Sequence, residues 1–369
     1  MKRSIIMKWI PRSIPVQTVP RLCTAILLVV SLPICFLPVA LADQLSGSTV
    51  SSSARLSGAV FGSHVILDGC WSLEQLRGKS QSPARVALSH HNRPAPSRLT
   101  PLSNPGPLSS DRRGSIRSVE VPANKGKPVA LTFDLCESAG QISGFDADLV
   151  DVLRSAKVRA TFFAGGKWML SHPEQTMQLM ADPLFEIGNH SWSHAHFSHL
   201  NQEQTDREIL WAQAQYEVLW EELWARKCAQ EAGQAEMEKI PRIPKLFRFP
   251  YGTCTSAALN TVNQHGLAAI QWNVVTGDAA PTQTEGGIVR IVQQQIRPGA
   301  IIIAHANGRG HGIVGALQRL IPELRQKGYE FVTISQLLDL GKPVAADTCY
   351  ETRPNDNRHY DTRGSRHIQ

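Results

Sequence analysis

From residue 125 onward, short apolar runs alternate with longer segments whose apolar residues recur at helical spacing. The apolar runs, which predict strands, are VALTFD (129–134), ATFFA (160–164), FEIGNH (185–190), LFRFPY (246–251), AAIQWNV (268–274), AIIIAH (300–305) and EFVTI (330–334). Helices are predicted between them at residues 146–157, 173–180, 256–265, 286–295 and 312–327. Alternation repeated this often predicts an α/β fold with a parallel sheet covered by helices, either open or closed into a barrel.

A longer amphipathic segment interrupts the alternation between residues 201 and 245. Its apolar residues at steps of three and four are Ile209, Ala212, Tyr216, Leu219 and Leu223. This spacing predicts a helix. Trp211, Trp220 and Trp224 also lie on it, where they could stack on sugar rings. A helix that packs against the domain is the simpler explanation of these tryptophans.

The first 42 residues have the pattern of a secretory signal peptide. They contain five basic residues and no acidic ones, then an apolar stretch over 22–41 that ends in Ala40-Leu41-Ala42. We therefore expect export to the periplasm or the cell exterior, with membrane attachment only if this segment stays uncleaved. Removal of these five charges lowers the net charge from +7 to +2. The remaining chain therefore has no large excess of basic residues that would indicate nucleic-acid binding.

Both flanks of the alternating region are predicted to be loosely structured. Residues 43–125 are rich in Ser, Pro, Gly and Arg, and only the stretch 59–76 suggests a small local element. A composition with so few apolar residues cannot offset the loss of chain entropy, so a mostly disordered linker is expected there. Residues 343–369 are polar and predict a mobile tail. The folded domain is therefore expected to span residues 126–342.

Polar and charged residues follow the predicted strands at their carboxyl ends. These residues are Asp134, His190, Arg248, Tyr251, Asp278 and His305. In parallel α/β folds the carboxyl ends of the strands meet at one edge, where the connecting loops carry the reactive groups. We therefore expect these side chains to share one site.

The segment NHSWSHAHFSHL (189–200) is the part of the chain most typical of a metal site. His190 and His194 are four residues apart, so one helical turn would direct both imidazoles to the same side, where they could bind a divalent ion. His196 and His199 lie close by and leave the choice of ligands open. Because two histidines do not complete a zinc site, an oxygen or sulfur donor must come from elsewhere.

These motifs together resemble those of the polysaccharide deacetylases with a NodB-homology domain (carbohydrate esterase family four). TFD, HSWSH and RFPYG are similar to the first three family motifs, and WNVVTGD and IAH are looser matches to the last two, all in the family's order. The resemblance covers residues 126–342. It implies an irregular (β/α)7-type barrel that removes N-acetyl groups from a glycan with one divalent metal ion, expected to be zinc.

The resemblance also implies a role for each matching residue. Asp134 would be the general base, and Arg248 would keep it ionised and oriented. His305 would be the general acid for the departing amine, with Asp278 keeping it protonated. Tyr251 would offer its backbone N–H to the oxyanion.

The third metal ligand is where this sequence departs from the family. His190 and His194 match two family ligands, but Leu135 stands where the family has an acidic ligand next to the base. Leu135 cannot bind a metal, and strand alternation turns it away from the face of Asp134. The remaining candidates are Asp134 itself, the thiolate of Cys136, Glu137 and a water molecule.

Cysteine pairing bears on this choice. Five cysteines remain after removal of residues 1–42, so at least one thiol stays unpaired within the chain. Cys254 follows Tyr251 by three residues and should lie with Cys136 at the barrel mouth. In an oxidising compartment we expect a Cys136–Cys254 disulfide. That bond would remove Cys136 as a ligand, so Glu137 is the expected third ligand.

Two other interpretations stay open. Leu135 and the tryptophan-bearing insertion would suit a catalytically weak relative that binds a glycan. A hydrolase of the same fold could act on an O-acetyl group or on another amide. Intact Asp134, Arg248 and His305 favour the deacetylase, because a simple binding protein has little use for an acid–base set. Export favours an N-acetylated glycan of the envelope or the extracellular space as its partner.

Overall fold

The described part of the chain comprises residues 61–85, 95–138 and 141–356 of a computed structural model. These residues belong to the compact unit Leu56–Gln369. The predicted signal peptide (1–42) and the last part of the predicted tail (357–369) lie outside them. Within the described ranges, no helix is long and apolar enough to cross a bilayer.

Strands and helices alternate along most of the described chain. Its strands are β1 (Ala84–Arg85), β2 (Ser115–Glu120), β3 (Lys127–Leu135), β4 (Gln141–Ile142), β5 (Ala160–Ala164), β6 (Phe185–Asn189), β7 (Leu246–Phe247), β8 (Ala268–Ile270), β9 (Val274–Val275), β10 (Ile301–His305), β11 (Tyr329–Phe331) and β12 (Lys342–Ala346). Its α-helices are α1 (His64–Cys70), α2 (Leu73–Arg77), α3 (Ala147–Ser155), α4 (Gly166–Ser171), α5 (Pro173–Ala181), α6 (Gln202–Trp224), α7 (Lys227–Ala232), α8 (Gln234–Met237), α9 (Ser256–Gln264), α10 (Glu285–Gln295), α11 (Ile313–Gln326) and α12 (Ile334–Asp339).

Parallel strands form an irregular barrel, as the sequence predicts. Their order is β2, β8, β7, β6, β5, β3 and β10, and every neighbouring pair is parallel. The two ends of this row meet where Ser118 and Ala300 form a bridge and Val119 donates its N–H to the carbonyl oxygen of Gly299 at 2.9 Å. β9 and β11 extend the sheet in parallel beside β10 and β3, whereas β12 pairs antiparallel with β2.

Alternation along the strands separates the barrel interior from the helix-covered exterior. Four residues of β3 pack in the cluster shared with the helices: Val129, Leu131, Phe133 and Leu135. Ala130 belongs to the interior cluster, as do Ile301 and Ile303 of β10. Because side chains alternate with a period of two, Asp134 and His305 lie on the interior face at the carboxyl ends. The two are direct neighbours in register.

The helices predicted between residues 125 and 340 are confirmed, and each predicted apolar run contains a strand, but some strands are shorter than predicted. LFRFPY is strand only at Leu246–Phe247, and AAIQWNV is divided into β8 and β9. ATFFA coincides with β5, and the five predicted helices correspond to α3, α5, α9, α10 and α11. The insertion contains α6, whose tryptophans pack against the protein. Trp220 donates from Nε1 to the carbonyl oxygen of Ile240 at 3.0 Å, and the Trp211 and Trp192 ring centres are 5.7 Å apart.

The expectation of a disordered linker over 43–125 is wrong for the described part of that segment. β2 is a strand of the barrel, and a disulfide joins Cys70 to Cys228. The carboxylate of Glu217 accepts the backbone N–H groups of Leu102 and Ser103. The segment contains few apolar residues, but its polar groups find partners on the domain, and these partners hold it in place.

The expectation of a mobile tail is also wrong for residues 343–356. β12 pairs with β2, and Cys349 is bonded to Cys254. Arg117 of β2 donates to the carbonyl oxygens of Tyr350 and Glu351, both at 2.7 Å. The tail is polar because it forms the edge of the sheet, where one strand face meets solvent.

Candidate active site

Asp134 and Arg248 form a buried ion pair at the barrel mouth. Asp134 is 4% exposed and Arg248 is 0% exposed, and Nη1 of Arg248 lies 2.9 Å from Oδ1 of Asp134. Arg248 also donates to the carbonyl oxygens of Ile270 and Gln271. Burial raises the pKa of Asp134, but the charge of Arg248 outweighs burial and holds that pKa below its ordinary value. The carboxylate therefore stays ionised near neutral pH.

His305 and Asp278 form a second pair beside the first. Nδ1 of His305 lies 2.9 Å from Oδ1 of Asp278, and Oδ2 accepts the backbone N–H of His305 at 2.7 Å. Thr276 donates from Oγ1 to the same carboxylate at 2.9 Å. Burial lowers the pKa of His305, but the charge and hydrogen bond of Asp278 outweigh it and raise that pKa above its ordinary value. This pair therefore favours a protonated imidazole, as the sequence predicts for a general acid.

Three potential metal ligands meet next to this acid–base set. The ligand atoms of Cys136, His190 and His194 all lie within 4.8 Å of one another. Nδ1 of His190 lies 2.9 Å from the carbonyl oxygen of Arg248. A carbonyl can only accept, so Nδ1 carries the proton and Nε2 the lone pair. Nε2 of His190 and Nδ1 of His194 are buried and make no hydrogen bond, which fits ligands for a metal ion.

His190 and His194 converge from a loop rather than from the predicted helical turn. β6 ends at Asn189, and Ser191 and His194 both have positive φ, at 66° and 56°. The side chain of Asn189 accepts the N–H of Ser191 at 2.8 Å, and the hydroxyl of Ser191 accepts the N–H of His194 at 3.1 Å. These side-chain acceptors stabilise a backbone conformation that is otherwise rare outside glycine. The result is a distance of 5.1 Å between the two imidazole centres.

Tyr251 lies at the rim of the cluster. It belongs to the turn Pro250–Gly252, and its φ is 59°. Its ring centre is 4.5 Å from that of His194 and 5.4 Å from that of His196. The structure therefore brings Tyr251 to the predicted site, while its role as an oxyanion donor stays a prediction.

Leu135 and Glu137, on either side of Cys136, are both directed away from the cluster. Leu135 is 0% exposed and packs in the outer core, as strand alternation predicts. The carboxylate of Glu137 accepts from the hydroxyl of Ser171 at 2.7 Å and from the N–H of Ser143 at 3.1 Å. These bonds explain why Glu137, the predicted third ligand, lies outside the group of ligand atoms. Cys136 is in that place instead.

The expected Cys136–Cys254 disulfide is wrong. Cys254 pairs with Cys349, because β12 brings the polar tail back to the barrel. Among the described residues Cys136 is the free cysteine. Burial, together with the nearby charge of Asp134, raises the pKa of the Cys136 thiol to about 12. Without a metal this side chain is therefore a neutral thiol at neutral pH.

Two polar residues of the site were not predicted. Asn307 donates from Nδ2 to the carbonyl oxygen of Cys136 at 3.0 Å and to its Sγ at 3.1 Å. Thr276 supports Asp278, as described above. Each lies two residues from a predicted site residue, just beyond a strand, so a search for polar residues at strand ends would have found both.

The barrel mouth thus joins an ionised carboxylate, an imidazole held by a second carboxylate, and a group of donors for a metal ion. These are the parts that a metal-assisted hydrolase requires. The predicted residues Asp134, His190, His194, Arg248, Tyr251, Asp278 and His305 all lie at this mouth. Glu137 borders it but is directed elsewhere.

Comparison with known proteins gives the family. A family model described as polysaccharide deacetylase matches residues 122–224. A peptidoglycan-N-acetylglucosamine deacetylase of Bacillus cereus is 31% identical over 222 residues, which cover 59% of this chain and 91% of the relative. A chitooligosaccharide deacetylase of Bradyrhizobium sp. is 31% identical over 224 residues, which cover 57% of this chain and 90% of the relative. The chain therefore belongs to the polysaccharide deacetylase family of hydrolases.

A solved structure is also similar to this chain. It is the crystal structure of the Bc1960 peptidoglycan N-acetylglucosamine deacetylase, with 26% sequence identity and a TM-score of 0.49. The alignment covers 61% of this chain and 93% of that chain.

Proposed function

We propose that this protein is a metal-dependent hydrolase that removes N-acetyl groups from a glycan of the cell envelope or the extracellular space. The observation that carries this proposal is the meeting of three groups at one barrel mouth: the Asp134–Arg248 pair, the His305–Asp278 pair and the cluster of metal donors. Each group alone has a structural explanation. Their combination supplies a base, an acid and a Lewis-acid site within reach of one substrate.

The donors fit a divalent metal ion, and we propose zinc. His190 and His194 would hold it with one further donor, because each offers a buried ring nitrogen that has no hydrogen-bond partner. When bound, the ion would polarise the amide carbonyl and make a water molecule more acidic.

Asp134 is proposed to accept the proton of the attacking water. Its carboxylate is ionised, because Arg248 outweighs the effect of burial on its pKa. Arg248 also fixes its direction through the contact between Nη1 and Oδ1 at 2.9 Å. Tyr251 is proposed to donate its backbone N–H to the carbonyl oxygen as negative charge develops there.

His305 is proposed to donate a proton to the sugar nitrogen as the carbon–nitrogen bond breaks. An amide nitrogen leaves far more readily as a neutral amine than as an anion, so the acid is required for the second half of the reaction. Asp278 holds Nδ1 and raises the pKa of the ring, which keeps a proton on Nε2 for transfer. The products are acetate and a glycan with a free amino group.

An N-acetylglucosamine-containing glycan is the proposed substrate class. The relatives compared above are named for peptidoglycan N-acetylglucosamine and for chitooligosaccharides, two glycans that share this acetylated sugar. The disulfides Cys70–Cys228 and Cys254–Cys349 support an oxidising compartment. Export by the predicted N-terminal signal would place the enzyme with such a substrate.

Acetate release from peptidoglycan and from chitooligosaccharides tests the proposal. Zinc should be required, and a strong chelator should abolish turnover reversibly. We expect His190→Ala and His194→Ala to lose metal and activity, and Asp134→Asn to lose about 10²–10⁴-fold in kcat with its metal retained. His199→Ala is the matched control, because His199 is an exposed histidine of the same segment. Glycan binding without acetate release, at full zinc occupancy, would support the weak glycan-binding relative instead.

A further inference from the structure

We propose that Cys136, as a thiolate, is the third protein ligand of the metal ion, and that the site therefore selects zinc-like ions over hard ones. This inference rests on the proposed function, since it concerns the ion that the deacetylase would use. It goes beyond that function by assigning a sulfur ligand to this chain and by giving the metal preference that follows from it.

Geometry is the first observation that supports Cys136. Its Sγ and one nitrogen each of His190 and His194 lie within 4.8 Å of one another, so small side-chain adjustments bring all three to a shared ion. Zinc binds cysteine sulfur and histidine nitrogen, and its catalytic sites use three protein ligands and an open position.

The buried nitrogens of the two histidines are a second, independent observation. His190 is 1% exposed, and its Nδ1 is committed to the carbonyl oxygen of Arg248. Its Nε2 is buried and makes no hydrogen bond, with Oδ2 of Asp134 3.6 Å away. Nδ1 of His194 is likewise buried without a hydrogen bond. Buried polar atoms are almost always satisfied in native proteins. Two unsatisfied ring nitrogens that face one thiol therefore point to an ion between them.

The other candidates for the third ligand are committed elsewhere. Leu135 packs in the outer core. Glu137 accepts hydrogen bonds from Ser171 and Ser143. Asp134 gives its Oδ1 to Arg248 at 2.9 Å. Its Oδ2 lies 3.6 Å from Nε2 of His190, but Asp134 is not among the three residues whose ligand atoms all lie within 4.8 Å of one another.

Asn307 orients the sulfur. Its Nδ2 donates to the carbonyl oxygen of Cys136 at 3.0 Å and to Sγ at 3.1 Å, so one amide fixes both the backbone and the side chain. A donor aimed at sulfur favours the negatively charged thiolate over the neutral thiol. Residues that hydrogen-bond to metal ligands without contacting the ion fix the orientation of those ligands and tune their basicity.

The chemical consequence concerns metal choice. On binding, the S–H bond of Cys136 ionises, its proton passes to solvent, and the sulfur keeps the electron pair for the ion. Thiolate and imidazole favour zinc, cobalt and cadmium, whereas magnesium, calcium and manganese prefer oxygen donors. We therefore expect Zn²⁺ and Co²⁺ to bind well and Mg²⁺ and Mn²⁺ to bind poorly.

Cobalt substitution tests the sulfur ligand without any measurement of activity. The purified protein loaded with Co²⁺ should show a thiolate-to-cobalt charge-transfer band in the near ultraviolet. Cys136→Ser should lose this band, and Cys136→Asp should bind Co²⁺ through oxygen without it. Asn307→Ala should keep the band but bind zinc about 10–100-fold more weakly.

Alkylation gives a second readout in the unmodified chain. Iodoacetamide should label Cys136 of the metal-free chain slowly, because its thiol is mostly neutral. Over an incubation long enough for that labelling, followed by mapping of the Cys136 peptide, saturating Zn²⁺ should prevent it. Protection should disappear in His190→Ala and persist in the control variant His199→Ala. Mg²⁺ at the same concentration should give no protection.

The outcomes separate this inference from the proposed function. If folded wild-type protein binds neither zinc nor cobalt, the metal-dependent function itself is overturned. If cobalt binds and is lost in His190→Ala, but no thiolate band is present and zinc leaves Cys136 open to alkylation, the sulfur ligand alone is overturned. The expected result has two parts: a thiolate-to-cobalt band that is present in wild type and absent in Cys136→Ser, and protection of Cys136 from alkylation by zinc.

Discussion

Replacement of Arg248 by Met would remove the guanidinium from the barrel interior and leave an unbranched apolar chain in its place. Three polar contacts would be lost: 2.9 Å to Oδ1 of Asp134, 3.2 Å to the carbonyl oxygen of Ile270 and 3.3 Å to that of Gln271. The guanidinium also lies 4.0 Å from the ring centre of Phe163. Because Arg248 is 0% exposed, bulk water does not replace these contacts.

We expect Arg248→Met to lower the free energy of unfolding by about 3–5 kcal/mol, because removal of one member of a buried ion pair leaves the other charge uncompensated. The charge left behind is that of Asp134, which is 4% exposed. Asp134→Asn in the same chain removes that charge. The double variant should therefore be more stable than the sum of the two single losses implies.

Urea unfolding near neutral pH, followed by tryptophan fluorescence, measures these differences. Arg319→Met is the matched control, since Arg319 pairs with Glu285 at 3.3 Å and both side chains are about half exposed. An exposed pair contributes only about 0–1 kcal/mol. If Arg248→Met costs no more than this control, or if the two changes at the buried pair simply add, the reasoning from burial fails.

Acidification gives a second readout of the same pair. Burial raises the pKa of Asp134, but the charge of Arg248 lowers it by more, so the pKa is lower in the folded chain than in the unfolded one. A carboxyl group whose pKa is lowered by folding stabilises the folded chain at pH values above its pKa in the unfolded chain. This stabilisation is lost as the pH falls through its pKa in the folded chain. The advantage of wild type over Asp134→Asn should be full above about pH 5 and should shrink below about pH 4. An advantage that does not change with pH would contradict the assignment.

Three further predictions concern other parts of the molecule. The charge of Asp278 outweighs burial and raises the pKa of His305, and Asp278→Asn removes that charge. The pKa of His305 should therefore fall, and the alkaline limb of the pH profile for acetate release should move to lower pH. A limb that does not move would exclude His305 as the acid. Leu135→Asp buries a carboxyl group in the outer core and should cost about 3 kcal/mol or more in urea without improving zinc binding; equal stability would show that this side chain can turn to the site. Cys349→Ala breaks the bond to Cys254, which spans 95 residues, and should cost about 2–5 kcal/mol in non-reducing buffer. A reductant should abolish the difference in stability between wild type and the variant, because both chains then lack the Cys254–Cys349 and Cys70–Cys228 bonds.

The site was predictable where local pattern decides the geometry. Alternation along β3 places Asp134 inside the barrel and Leu135 among the helices, and both positions follow from a period of two that the sequence displays. The same holds for His305 at the end of β10, since an apolar run that ends in a polar residue is visible in the sequence. The register that makes Asp134 and His305 direct neighbours depends on the strand order, which only the structure gives.

The errors concern long-range partners. The sequence predicts a Cys136–Cys254 bond because both residues are expected at the mouth, but the pairing depends on where β12 returns. The sequence SIRSVE does not predict β2, because it contains Arg117 at a position that is buried in the structure. That arginine is satisfied by carbonyl oxygens more than 230 residues away. No local pattern reveals a partner at such a separation.

The position of β2 has a consequence for the time at which the barrel can form. Its parallel neighbour β8 begins at Ala268, about 150 residues after β2 ends, and its antiparallel neighbour β12 comes later still. At about 5–20 residues per second, β2 is synthesised roughly 7–30 s before either neighbour. During that interval both edges of β2 are unpaired, which favours aggregation. Its low apolar content, the same property that makes it hard to predict from the sequence, limits that tendency.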